Sequence, residues 1–226
     1  ISGDDVAILQ KATFNDKNVG SAKAISISGI SLSGADAGNY QLSNTTSSAV
    51  GEIAPKTLTI TGLVASSKTY DGTTAANITN WGSVDTGVGN ETLVLVHGLP
   101  ANFTDRNAGT AKMVVASGYA LGDGSNGGLA SNYRLSSNTV TTQADILPRA
   151  LTLAGVSVLD KVYDGTTSAT LGGGLLLGVL ANDSVGIGSL GVGTFADRQV
   201  GAGKSVTVSD TRLSGVDAAN YSVMAP

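Results

Sequence analysis

The chain has 226 residues, of which 41% are hydrophobic but only 4% aromatic, with 31 glycines, no cysteine and a formal net charge of −4. The lack of cysteine excludes disulfides, thiolate zinc sites and cysteine nucleophiles, and the acidic balance disfavours nucleic acids and anionic membranes as partners. Abundant glycine and few charged residues are typical of short β-strands joined by tight turns.

Residues 1–55 carry the later part of a repeating unit. A motif that begins at Phe14 reads Phe-Asn-Asp-Lys-Asn-Val-Gly, and a second motif, Leu32 to Tyr40, ends in Asn39-Tyr40. The start at Ile1 has no initiator Met, basic segment or apolar signal segment, which predicts that the chain is a piece of a longer protein. Residues 1–55 are therefore interpreted as the C-terminal part of a truncated first repeat.

Residues 56–148 form the one repeat that is complete in sequence. Strand-like segments such as 57–61, 92–96 and 112–115 alternate with turn residues. The motifs of this repeat, in chain order, are Lys-Thr-Tyr-Asp-Gly-Thr-Thr-Ala at 68–75, a Phe motif that starts at Phe103, and Leu-Ala-Ser-Asn-Tyr at 129–133. The strand before Pro148 closes it.

Residues 149–226 repeat the same order of motifs. Lys-Val-Tyr-Asp-Gly-Thr-Thr-Ser at 161–168 is followed by a Phe motif that starts at Phe195 and by the motif 213–221, which ends in Asn220-Tyr221. This repeat is interpreted as lacking its closing strand. At the joints, a proline, a basic residue and Leu-Thr follow one another without a glycine or serine spacer, so we expect a stiff connection between repeats.

The Tyr-Asp-Gly segments predict tight turns. Glycine accepts a positive φ, and the aspartate side chain can accept a hydrogen bond from the backbone two residues on. The alternative, that Asp71 and Asp164 are metal ligands or catalytic acids, lacks a second carboxylate at a useful local spacing. These aspartates are therefore predicted to be structural.

The other motifs are also predicted to have structural roles in preference to catalytic or binding roles. The Asp-Arg or Asp-Lys pair after each Phe is expected to be a solvated or capping contact, worth under about 1 kcal/mol. One helical turn is expected before each Asn-Tyr. His97, the one histidine, is interpreted as a strand residue, and the segment 123–128 as a flexible loop in place of a calcium site because it lacks the closing Glu. No cofactor is predicted, and calcium is left open without a specific motif for it.

These motifs resemble a known family. The strings KTYDGTTAA at 68–76, KVYDGTTSA at 161–169 and LSGADAGNYQL at 32–42, with the Phe-x-Asp-Arg motif, are similar to the YDG and MBG (mostly β-grasp) repeats of large bacterial exoproteins. Those are adhesins of the filamentous-haemagglutinin type, which are secreted through a partner outer-membrane channel. The resemblance implies tandem, mostly β, β-grasp-like modules with at most a short helical turn each. Immunoglobulin-like β-sandwich repeats are the alternative.

The resemblance also implies a function. We expect secreted stalk or spacer repeats of a surface adhesin that support attachment, aggregation or biofilm formation. Their expected partners are further repeats of the parent chain, with self-association left open as another contact. The alternative is that the repeats themselves bind polysaccharide or a host receptor weakly and multivalently. We expect no enzyme activity, because no triad, metal cluster or phosphate loop stands out. The residues expected to carry the repeat are Tyr70, Asp71, Gly72, Tyr163, Asp164, Gly165, Phe14, Phe103, Phe195, Asp105, Asp197, Asn39, Tyr40, Asn132, Tyr133, Asn220 and Tyr221.

Overall fold

The computed structural model describes residues 1–224, and short strands dominate this part of the chain. In chain order they are β1 (Ala7–Phe14), β2 (Gly20–Ser33), β3 (Ser47–Ile53), β4 (Lys56–Leu58), β5 (Thr61–Ser66), β6 (Lys68–Thr69), β7 (Asn77–Ser83), β8 (Leu93–Val96), β9 (Asn102–Phe103), β10 (Gly109–Ser117), β11 (Ala120–Asp123), β12 (Tyr133–Leu135), β13 (Thr139–Leu147), β14 (Arg149–Val158), β15 (Ser168–Ala169), β16 (Leu171–Leu177), β17 (Gly186–Ser189), β18 (Val192–Phe195), β19 (Val206–Ser209), β20 (Arg212–Ser214) and β21 (Tyr221–Met224). The mostly β prediction is confirmed.

Within residues 1–224, helical structure is limited to one short turn that ends at the asparagine of each Asn-Tyr pair. The three 3₁₀ turns are Ala37–Asn39, Ala130–Asn132 and Ala218–Asn220. In each, the backbone N–H of the following tyrosine bonds to the carbonyl of the first alanine. The prediction of one helical turn per repeat is therefore confirmed, including the middle repeat, whose motif is shorter. None of the helices in the described part of the chain is long and apolar enough to cross a membrane.

The chain folds into two compact units that each combine residues of two successive repeats. The first unit contains residues 1–61, 83–97 and 119–138, and the second contains 62–82, 98–118 and 139–226. The first unit thus joins the first repeat to part of the middle repeat, and the second joins the rest of the middle repeat to the third. The division of the sequence at Pro55 and Pro148 stays a prediction.

The first unit contains one three-stranded antiparallel sheet and two strand pairs. The sheet has the order β1-β2-β3, β8 pairs with β11, and β4 pairs in parallel with β12. No hydrophobic side chain of residues 1–55 is fully buried, and the buried apolar side chains of this unit come from the middle repeat. They are Leu58, Ile60, Tyr119 and Tyr133.

The second unit contains most of the core. Its larger sheets have the orders β6-β13-β10-β9, β16-β14-β21 and β15-β18-β19, and β17-β20 and β5-β7 are pairs. In β10 the inward positions Val114 and Ala116 are completely buried, because alternate residues of a strand face opposite sides of the sheet. Tyr70, Ile146 and Leu151 are the other large side chains of this unit with almost no exposure.

The middle and third repeats each open with a strand that pairs in parallel with their own Asn-Tyr strand. In β4 and β12, Lys56 lies opposite Tyr133, and in β14 and β21, Arg149 lies opposite Tyr221. The joint before these strands is short, since one residue, Pro148, separates β13 from β14. The basic residue of each joint therefore lies beside the tyrosine of the same repeat.

Candidate functional site

The Tyr-Asp-Gly segments form the same tight turn twice. Gly72 and Gly165 have φ values of 78° and 76°, in the left-handed region that favours glycine. The N–H of Thr73 donates to Asp71 Oδ1 at 2.9 Å, and Thr166 donates to Asp164 in the same way. The predicted positive φ and aspartate-to-backbone bond are therefore confirmed.

A lysine that the sequence analysis did not single out closes each turn. Lys68 Nζ donates to Asp71 Oδ1 at 2.8 Å and lies 5.6 Å from the centroid of the Phe103 ring. Lys161 makes the same contacts with Asp164 and the Phe195 ring. Hydrogen bonds from Lys161 and Thr166 lower the pKa of Asp164 to about 2. The lysine thus ties the Tyr-Asp-Gly turn to the Phe motif of the same repeat.

The aspartate of each Phe motif closes the loop that follows the Phe. Asp105 Oδ1 accepts the N–H of Asn107 at 2.8 Å and binds Lys112 Nζ, seven residues on, at 2.5 Å. Asp16 and Asp197 make the equivalent bonds, each with a backbone N–H two residues on and with a lysine seven residues on. The expected capping role of this aspartate is confirmed.

The basic residue next to that aspartate behaves differently, and here the expectation of a solvated or capping contact is wrong for the middle repeat. Arg106 Nη1 donates to Asp183 Oδ1 at 3.0 Å, and Nη2 donates to Asp217 Oδ1 at 2.9 Å. Both acids belong to the third repeat, and the Asp183 side chain is 1% exposed. The loop of one repeat is therefore bound by carboxylates of the next.

Two asparagines complete this contact. Asn220 Oδ1 accepts the backbone N–H of Ala108 at 2.8 Å, and its Nδ2 donates to Asn107 Oδ1 at 3.3 Å. We call the loop Asp105–Ala108, with Tyr70, the tail of the middle repeat. We call the side chains of Asp183, Asp217, Asn220 and Tyr221 the head of the third repeat.

Two buried tyrosines share one carboxylate at the centre of the contact. Tyr70 and Tyr221 donate their hydroxyls to Asp183 Oδ2 at 2.8 and 2.7 Å, and their rings meet edge to face at 5.4 Å. Burial, and then the bond to Asp183, raise the pKa of Tyr70 to about 12. The hydroxyl of Tyr221 lowers the pKa of Asp183 against its burial, with Tyr70 and Arg106 adding to the effect.

The first unit contains the same contact between the first and middle repeats. Lys17 Nζ pairs with Glu91 Oε1, and Tyr133 donates to Glu91 Oε2 at 2.6 Å. Asn132 Oδ1 accepts the N–H of Val19 at 2.8 Å, and its Nδ2 donates to Asn18 Oδ1 at 3.0 Å. Two successive pairs of repeats therefore use one arrangement, tail of one to head of the next.

A head and a tail that meet no partner within residues 1–224 are exposed. Tyr163 is 58% exposed, whereas its counterpart Tyr70 is fully buried. Arg198, the counterpart of Arg106, is also exposed. In the head of the first repeat, Tyr40 is 37% exposed and Asn39 is exposed, whereas Asn220 and Tyr221 are buried. The exposed head and tail are the ones that contact no neighbouring repeat within residues 1–224. Tyr221 also lies beside an opening strand and Tyr70 beside a closing strand of its own repeat, which have no counterpart at Tyr40 and Tyr163 among the described residues.

The structure thus brings most of the predicted motif residues together, although in two groups. The Tyr-Asp-Gly turn and the Phe form one group within a repeat, and the Asn-Tyr pair contacts the preceding repeat. Phe14, which has no Tyr-Asp-Gly turn beside it, is 39% exposed, whereas Phe103 is buried. The residues that sequence reasoning missed are Lys17, Glu91, Lys68, Lys161, Arg106, Asp183 and Asp217. One signal could have found the two head acids, since Asn90-Glu91-Thr92 and Asn182-Asp183-Ser184 stand at matching places in their repeats.

His97 and the segment 123–128 lie outside the two groups of motif residues. His97 follows the end of β8 and so lies just outside the strand to which it was assigned. The segment 123–128 folds closely against Thr92, whose N–H bonds to the Ser125 carbonyl at 3.1 Å, in place of the expected flexible loop. Across residues 1–224, no group of three or more His, Cys, Asp or Glu residues could hold a metal ion.

Comparisons with known proteins give one result. A family model described as the YDG domain matches residues 1–48, 54–142 and 147–226. No curated protein and no solved structure is similar enough to the chain to count as a match. Three separate matches in one chain fit the three sets of repeat motifs.

Proposed function

Because this chain belongs to the YDG domain family, we propose that it is a series of stalk repeats from a large bacterial surface adhesin. The parent would be of the filamentous-haemagglutinin type and secreted through a partner outer-membrane channel. In this function the repeats hold a binding region away from the cell and support attachment, aggregation or biofilm formation. Their partners are further repeats of the same parent chain.

The observation that carries the proposal is the head-to-tail contact, which occurs twice with a tail cation, a head acid, an asparagine and a tyrosine at matching positions. Hydrogen bonds between the tail backbone and the head asparagine are 2.8 Å in both units. Solenoid and array proteins gain stability from interfaces between neighbouring repeats in this way. A segment whose repeated polar residues mainly bind the next repeat suits a structural spacer.

The repeated carboxylates are engaged in contacts within the protein. Asp71 is bound by Lys68, Asp105 by Lys112, and Asp183 by three donors. A general acid or base must reach the substrate group with which it exchanges a proton, and these carboxylates are instead bonded to donors of the protein. This supports the proposal that the chain is not an enzyme.

The test is to vary the number of repeats. Proteins with two, three and four copies of the middle repeat in series should show a maximum dimension in small-angle X-ray scattering that grows by roughly 30 Å per copy. A maximum dimension that stays constant would contradict a stalk. Surface location is tested on the source bacterium, where antibodies to this chain should label intact cells and external protease should remove the label.

A second candidate function rests on one cleft. Tyr163, Phe195 and Arg198 line a cleft of about 580 Å³ in the third repeat. An exposed tyrosine beside a cationic side chain can stack on a sugar ring, so weak, multivalent carbohydrate binding is the alternative. A glycan array probed with the whole chain, followed by titration with millimolar oligosaccharide, tests it, and Tyr163→Ala should abolish any binding.

A further inference from the structure

The two head-to-tail contacts differ in one matched pair of residues. In the second unit the tail cation is Arg106, and it binds two carboxylates, Asp183 and Asp217. In the first unit the tail cation is Lys17, and it binds the single carboxylate of Glu91. The position that corresponds to Asp217, three residues before the asparagine of each motif, is Leu129 in the middle repeat.

The chemistry of the two cations explains this match. A guanidinium presents several N–H donors in a rigid fork and can bind two carboxylates at once, whereas an ammonium is a compact point charge. An arginine tail opposite a leucine would leave half of its fork without an acceptor. A lysine tail opposite two carboxylates would leave an uncompensated negative charge. The head acids thus distinguish between the two kinds of tail.

The exposed tail of the third repeat is of the arginine kind. Arg198 follows Asp197, which fixes the loop through the N–H of Gln199 and through Lys204. Arg198 makes no ion pair with any described residue. Tyr163 lines the same cleft as Arg198. Its counterpart in the middle repeat, Tyr70, contacts Asp183 and Tyr221 of the next head. This tail therefore matches a head that offers two carboxylates to the guanidinium.

The exposed head of the first repeat is of that kind. Tyr40 donates to Asp4 Oδ2 at 2.6 Å, as Tyr221 does to Asp183. Asp36 Oδ2 accepts the N–H of Asp5 at 2.9 Å, as Asp217 accepts that of Ser184. In both heads the second acid uses its Oδ2 within its own repeat. Asp217 binds Arg106 through the other oxygen, Oδ1, and Asp36 Oδ1 is the equivalent atom in the first head. The acceptors for an arginine tail are therefore already in place.

We propose that the tail of the third repeat binds a YDG head with two carboxylates, which a second copy of this chain supplies through Asp4, Asp36, Asn39 and Tyr40. Arg198 binds both acids, the N–H of Val200 donates to Asn39 Oδ1, and the Tyr163 hydroxyl donates to Asp4. Such a contact joins two different surfaces and need not close on itself, so copies add in an open series. The inference rests on the head-to-tail contact of the proposed function and adds the partner that this tail selects.

The experiment uses the whole chain and two complementary variants. Arg198→Glu removes the tail, and Asn39→Arg removes the head, and both side chains are exposed. Arg212→Glu, an exposed arginine outside the motifs, is the matched control. Sedimentation velocity is measured from about 10 μM to about 1 mM protein at low salt, a range that reaches typical effective concentrations of linked sites. Circular dichroism establishes that each variant is folded.

The proposal expects the wild type and Arg212→Glu to associate progressively as concentration rises, less so at high salt. Each tail or head variant alone should stay monomeric, and an equimolar mixture of the two should form dimers and nothing larger. Arg198→Lys should weaken the association at least tenfold, because a lysine cannot bind both acids. A monomeric wild type at about 1 mM, or association unchanged by Arg198→Glu, would overturn the proposal. Loss of association on adding oligosaccharide alone would instead favour the carbohydrate reading of the cleft.

A result that rejects the binding of a second copy can be distinguished from one that rejects the stalk function. The internal contacts at Arg106 and Lys17 are intramolecular and do not depend on a second copy. A stalk whose length grows with repeat number while this chain stays monomeric would retain the proposed function and reject the selection of this partner.

Discussion

Replacing Asp183 with alanine tests how much the head-to-tail contact stabilises the second unit. The side chain is 1% exposed and accepts hydrogen bonds from Arg106, Tyr70 and Tyr221. Removing it leaves the buried hydroxyls of Tyr70 and Tyr221 without their acceptor and leaves Arg106 with Asp217 alone. Breaking a buried pair in this way costs about 3 to 5 kcal/mol of unfolding free energy. We expect Arg106→Ala to cost less, because its side chain is 38% exposed and solvent screens the pair.

The assay is urea unfolding followed by the fluorescence of Trp81, the single tryptophan, which belongs to the second unit. Arg198→Ala is the matched control at low protein concentration, because Arg198 occupies the same motif position and is exposed. It should change the free energy of unfolding by less than about 0.5 kcal/mol. Equal effects of Arg106→Ala and Arg198→Ala would refute the reasoning, since only one of these arginines binds a head.

Three further predictions concern the turn and its tyrosine. The pKa of Tyr70 is raised to about 12 from an ordinary value of 10.0. Its stabilising effect is therefore complete below pH 10 and is lost as the pH rises towards 12. In a series of urea melts at increasing pH, Tyr70→Phe should lose less stability above about pH 10 than the wild type does. Gly72→Val should lower the melting temperature more than Gly165→Val: both glycines have positive φ, but an added Cβ at Gly72 would meet Leu180 at 3.2 Å while none lies within 4 Å at Gly165, so equal losses would mean that backbone strain alone decides. Lys68→Met keeps the apolar stem but removes the charge that binds the turn, and should cost about 1 kcal/mol in the same urea assay, whereas no change would show that the turn holds without its lysine.

The local parts of the fold could be predicted from sequence. A strand pattern has a period of two residues, and the Asp-Gly turn is determined by glycine's positive φ and by a bond only two residues long. The helical turn before each Asn-Tyr pair was predictable for the same reason. These features depend on neighbours along the chain, and the structure confirms them.

The contact between repeats could not be predicted, because its partners are far apart in sequence. Arg106 lies 77 residues from Asp183 and 111 from Asp217. A repeat pattern shows which residues recur but not whether each one contacts its own repeat or the next. For this reason the sequence predicted a solvated or capping role for Arg106 and gave no role to Asp183.

The parallel pairing of β14 and β21 determines how the third repeat would resist tension. Arg149 lies opposite Tyr221 and Leu151 opposite Val223, so the start of β14 and the end of β21 are at opposite ends of one ladder. Tension applied at residues 149 and 224 would pull the two strands past each other along their length. All the hydrogen bonds of the ladder would then resist together in shear, whereas an antiparallel pair pulled from one end would open one bond at a time.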